Sequence, residues 1–191
     1  MAAEPQATVH QAAATGFDNA AAYDAHRPSY PARAVDGLLG NLGLGAPPAR
    51  VVDLAAGTGN HFIDNQPEKW TTATRWEQEL KEQILKLDPA GPPRFRDDKW
   101  WHVFDRQSRA ANPIFSTPVG EEKVPFQEWL TKDRLWDRVN TLSQVVTLQG
   151  ESKEAFRARF DDILRDGDGK WNAKGEVEFH GVAVYVWTGS L

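Results

Sequence analysis

The chain has 191 residues, enough for one domain with a hydrophobic core, and a formal charge of −5 with no basic block, which argues against nucleic acid and anionic membrane as partners. It contains no cysteine, which excludes disulfides and thiolate metal sites, and no apolar run approaches the ~18 residues that a membrane span requires. The first 26 residues lack Lys, Arg and an apolar core segment, so neither a secretory signal nor an Arg-rich transit peptide is expected, and the expected location is cytoplasmic.

Residues 1–16, rich in Ala, Gln and Thr, read as a loose arm. Asp18 is placed to cap a short helix through Ala20, Ala21 and Ala22, and Arg27-Pro28-Ser29-Tyr30-Pro31 ends it. Ala34, Val35, Leu38, Leu39 and Leu42 recur at helical spacing up to a stop at Gly43. Residues 50–55 are a short apolar run suited to a buried parallel strand. Trp76, Leu80, Ile84 and Leu87 predict a helix that the Pro-rich stretch 89–93 ends. Residues 99–104 predict another helix, 122–126 a short strand, and 126–148 one or two helices with Leu135, Val139, Leu142 and Val146 on one face. Ser152 is placed to cap a helix bearing Phe156, Phe160, Ile163 and Leu164. The alternation over residues 176–187, with Val177, Phe179, Ala183, Tyr185 and Trp187 on one side, is the best strand signal in the chain.

The stretch Val51-Val52-Asp53-Leu54-Ala55-Ala56-Gly57-Thr58-Gly59 carries the chemistry. An apolar strand brings the backbone to a sheet edge, and the small residues Ala55, Gly57 and Gly59 let a ligand approach main-chain N–H groups closely. A plain strand-to-turn transition is the alternative reading. Upstream stand Phe17, Tyr23 and Arg27-Pro28-Ser29-Tyr30-Pro31. Together these motifs resemble class I S-adenosylmethionine-dependent methyltransferases, in particular small-molecule enzymes similar to trans-aconitate methyltransferase. The stretches 70–77, 93–100, 115–130, 135–144 and 175–188 resemble that family's C-terminal part. The resemblance implies that Tyr23 and Arg27 lie near S-adenosylmethionine and that Asp53, Ala55, Gly57 and Gly59 cradle its amino-acid end. It also implies that Trp76, Trp129 and Trp136 lie near the acceptor. Taken without it, Arg27 is a surface charge, Tyr23 and Tyr30 are packing residues, and the tryptophans belong to the core.

In such relatives a helix and further strands follow the glycine loop. Here Asn60 resembles an asparagine found much later in the family, joined directly to Gly59. At ~30 residues per βα unit, the missing middle is on the order of 80 residues. The expected fold is therefore α/β: a truncated, helix-rich Rossmann-like methyltransferase fold with a small mixed sheet of about three strands. After the arm, residues 17–191 form a single domain, made of a cofactor-loop part (17–59) and a C-terminal part (60–191). Residues 50–55 are expected to take the vacated place beside 178–187. Their other side would be an open edge that favours a homo- or hetero-oligomer.

The function implied is methyl transfer to a carboxylate or hydroxyl of a small molecule, a displacement that rests on positioning and water exclusion. No catalytic residue is assigned. The ribose and adenine contacts belong to the missing segments, so weak or no S-adenosylmethionine binding is expected of this chain. The alternatives are a non-catalytic reduced paralogue that binds a small apolar ligand or a full-length partner, the product of a mis-spliced transcript, and a reshaped pocket for a methyl-free rearrangement. The five histidines are scattered without ligand spacing. The run beginning at Asp166 resembles a calcium loop but carries Lys170, Trp171 and Val177 where oxygen ligands or glycine are required, so a solvated turn is expected there.

Overall fold

The computed structural model describes residues 25–26, 29–44, 72–87, 99 and 101–191. Their elements are α1 (Ala32–Asn41), α2 (Arg75–Lys86), α3 (Trp101–Ser108), β1 (Gly120–Thr131), α4 (Lys132–Asn140), α5 (Ser143–Val146), α6 (Gly150–Asp166) and β2 (Glu176–Trp187). They make a mixed helix and strand body around a two-stranded antiparallel sheet. The third expected strand, 50–55, and its expected pairing lie outside the described residues, as do the arm and the helix after Asp18.

β1 and β2 pair along their whole length, from Gly120 opposite Trp187 to Thr131 opposite Glu176. On β1 the side chains alternate. Val124 and Leu130 are buried, while Glu121, Lys123, Pro125, Gln127 and Trp129 are exposed. β1 is thus longer than the strand expected at 122–126, and it replaces the first turns of the helix expected from residue 126. Phe126, Glu128 and Leu130 follow a period of two against β2, and the helix begins only where the Thr131 hydroxyl accepts the Arg134 N–H at 3.2 Å. α6 likewise starts earlier than Ser152 suggests. Gln149 is its N-cap, and Gly150 takes the positive φ of 52° at the entry.

The main core joins Trp76, Leu80 and Ile84 of α2 to Leu130, to Leu135 and Val139 of α4, to Phe156, Phe160, Ile163 and Leu164 of α6, and to Val177 and Phe179 of β2. A smaller cluster of Ala34, Val124 and Ala183, with Tyr185 packed against it, seats α1 on the sheet. Gly37 makes room there: a Cβ at that position would run into the Tyr185 hydroxyl, and the tip of that ring would have to move.

The two outer edges of the sheet differ. The N–H of Glu178 donates to the Lys170 carbonyl at 2.9 Å and that of His180 to Glu77 Oε1 at 2.8 Å, so even-numbered residues of β2 aim their backbone groups away from β1. Through the register, odd-numbered residues of β1 aim theirs away from β2. Pro125 falls on one of these outward positions, where a missing N–H removes no ladder bond.

Candidate functional site

The residues that the resemblance assigns to the cofactor, Tyr23, Arg27, Asp53, Ala55, Gly57 and Gly59, lie outside the described residues. The three candidate acceptor tryptophans are all described, and they are not brought together. Trp76 is wholly buried, with its ring 6.5 Å from that of Phe179. Its α2 neighbours and the close approach of Gly167 and Gly169 make it a core packing element. Trp136 lies between Phe156 and Phe160 under the Arg157 guanidinium, which sits 4.6 Å from its ring. Trp129 alone turns outward: it is 39% exposed on the open face of β1 and sits opposite Glu178.

Beside Trp129 is a cluster of polar groups. The buried carboxylate of Glu77 caps α2 through Oε2, which accepts the Thr74 N–H at 3.1 Å and the Thr74 hydroxyl at 2.8 Å. Its Oε1 accepts the His180 backbone N–H at 2.8 Å and lies 3.1 Å from His180 Nδ1. The other ring nitrogen, Nε2, lies 3.6 Å from Oε2 of buried Glu178, which in turn pairs with Lys170 Nζ at 3.3 Å. The imidazole is thereby fixed at one nitrogen and presents the other on the same face as Trp129 and Gln127, its partner across the strands. Such a face offers an aromatic surface for a flat ligand and an imidazole nitrogen for a proton or hydrogen bond.

The α2 N-terminus is also held by Asp168. Asp168 Oδ2 accepts the Arg75 N–H and Oδ1 the Trp76 N–H, each at 3.0 Å. These two N–H groups, Arg75's first, hold the Asp168 carboxyl below its ordinary pKa. On the opposite face of β2, Arg138 of α4 is 4% exposed and lies 5.7 Å from the Phe179 ring centre. Its Nη1 is 2.7 Å from Glu128 Oε2, an ion pair by distance rather than an aligned hydrogen bond, and its Nε donates to the His26 carbonyl at 3.2 Å. The neighbouring Asp137 carboxylate is 3.8 Å from His26 Nδ1. α4 thus fixes the chain at the residue immediately before Arg27.

Sequence reasoning passed over Glu77, His180, Glu178 and Arg138. One signal was there to find: Thr74-Arg75-Trp76-Glu77 is a capping-box pattern ahead of an apolar helical run. The expected solvated turn after Asp166 is a hydrogen-bonded one, with Asn172 Oδ1 accepting the N–H groups of Lys174 and Glu176. Among the described residues there is no cluster of His, Asp and Glu suited to a metal ion, and no helix long and apolar enough to cross a membrane. Comparison with protein-family models, curated proteins and solved structures returns no match to this chain.

Proposed function

We propose that the chain is a shortened member of the S-adenosylmethionine-dependent methyltransferases of class I, with a truncated Rossmann-like core, acting in the cytoplasm on a small molecule that bears a carboxylate or hydroxyl. The reading is carried by one observation in the sequence: the strand and glycine loop at 50–59 preceded by Tyr23 and Arg27-Pro28-Ser29-Tyr30-Pro31. The face formed by Trp129, Gln127, Glu178 and His180 supports it from the acceptor side, since it combines a flat apolar surface with groups able to orient a polar substituent. Tyr23, Arg27, Asp53, Ala55, Gly57 and Gly59 are the residues proposed to meet the cofactor's amino-acid end. When bound, S-adenosylmethionine would supply an electrophilic methyl group.

The test is calorimetric titration of the full chain with S-adenosylmethionine. Saturable heat at one site per chain, lost in Asp53→Ala, supports an enzyme. A cooperative thermal melt with no heat of binding favours the second reading, a non-catalytic paralogue that binds a small apolar ligand or a full-length partner. That reading draws on the outer edge of β2, which has no backbone partner beyond His180 among the described residues.

A further inference from the structure

We propose that Arg138 is a positioning residue: through the His26 carbonyl it fixes the segment that carries Tyr23 and Arg27 for contact with the cofactor. The inference rests on the methyltransferase reading for what the segment does, and on geometry for what holds it.

Burying a guanidinium is unfavourable, and an apolar side chain of similar volume often serves as well or better. Arg138 is nonetheless 4% exposed, on a helix whose other buried residues, Leu135 and Val139, are apolar. Its planar fork makes contacts that an apolar side chain lacks and that a lysine cannot reproduce together. Nη1 faces Glu128 Oε2 of β1 at 2.7 Å, while Nε donates to the His26 carbonyl at 3.2 Å, 112 residues upstream. The preceding residue of α4, Asp137, brings its carboxylate 3.8 Å from His26 Nδ1. Two consecutive residues of α4 thus hold His26, one by its main chain and one by its ring.

The grip on His26 constrains Arg27 through covalent geometry. A trans peptide sets consecutive Cα atoms about 3.8 Å apart, and a residue before proline is biased to extended conformations. Arg27 follows the held residue and precedes Pro28. On the other side, α1 is seated on the sheet through Ala34, Val124 and Ala183. Residues 27–31 therefore run between two anchored points. A segment held in this way has less freedom left to lose when a ligand binds, so affinity rises without any new contact to the ligand.

The test uses the full chain carrying Glu128→Gln together with Arg138→Met. This pair of changes removes the hold on His26 and leaves neither charge of the ion pair behind, so the urea midpoint should stay near that of the native chain. Hydrogen exchange at residues 24–27 should quicken about tenfold. The dissociation constant for S-adenosylmethionine, measured by calorimetric titration, should also rise about tenfold, as loss of a hydrogen bond to a charged group implies. A purely structural role for Arg138 would instead return both readouts to native values along with the midpoint. If the double variant does not fold, Asp137→Ala, at a partly exposed position, should move both readouts in the same direction by about twofold. Unchanged exchange at residues 24–27 in a folded variant overturns the proposal. If the native chain takes up no S-adenosylmethionine, the methyltransferase reading fails and this role fails with it. Native binding, with equal binding by the folded variant, leaves that reading standing and overturns this proposal alone.

Discussion

Replacing Glu77 with alanine removes two unrelated supports at once. At the helix end it deletes the acceptor for the Thr74 N–H and hydroxyl, a capping loss of about 1 kcal/mol. At the strand edge it strips the acceptor from the His180 backbone N–H, and an unpaired buried donor costs about 1–3 kcal/mol. The expected total is about 2–4 kcal/mol, a large fraction of the ~5–15 kcal/mol that holds an ordinary domain together. The assay is urea unfolding followed by tryptophan fluorescence, with the slope checked for constancy so that the midpoint shift reports stability. His180→Ala supplies the control. It removes the ring contact at 3.1 Å but leaves the backbone N–H in place, so it should cost only about 1 kcal/mol. Glu77→Ala should remain nearly as damaging in that background, because the main-chain bond carries the clamp. A loss below about 1 kcal/mol for Glu77→Ala, or one that disappears when His180 is already alanine, refutes the assignment of Glu77 as a main-chain clamp.

Asp168 gives the chain an acid limb. Its carboxyl is held below the ordinary value by the Arg75 and Trp76 N–H groups, so the unfolded chain takes up the proton first as pH falls. The stability it contributes is complete above the unfolded value of about 4 and is lost as pH drops through the lower folded value. Urea midpoints for Asp168→Asn should therefore fall less steeply than those of the native chain below about pH 4, and a native-like slope would rule the contact out. Glu128→Ala removes the carboxylate 2.7 Å from Nη1 of the buried Arg138 guanidinium and should cost about 1.5–3 kcal/mol in the same assay. The double change Glu128→Gln with Arg138→Met should recover most of that loss, and a double variant no more stable than Glu128→Ala would contradict it.

The parts of the fold that could be read ahead of the structure are those written in local repeats. α1 stops where Gly43 takes a φ of 66°, α2 follows the spacing of Trp76, Leu80 and Ile84, and β2 spans Glu176–Trp187 as its alternation predicts. β1 was harder to bound because Phe126, Trp129 and Leu130 also fit a helical period. Only pairing with β2, 45 to 55 residues away in the chain, selects the extended form over 126–131. The polar cluster was less legible still. Glu77 and His180 are separated by 103 residues, and neither sits in a pattern that announces the other. Trp76, Trp129 and Trp136 look alike in sequence, and burial alone distinguishes the core indole from the outward one.

The anchors of α2 have a bearing on how the chain is built. Its capping carboxylate Asp168 and its strand contact at His180 lie 92 and 103 residues downstream. As the polypeptide leaves the ribosome, residues 75–86 emerge well before either, so the helix spends that interval with its leading amides facing water. A short helix of this kind is marginal alone. Consolidation of the domain therefore waits on the arrival of residues 168–180, and a nascent chain arrested before them should be far more open to proteases around Trp76 than the finished one.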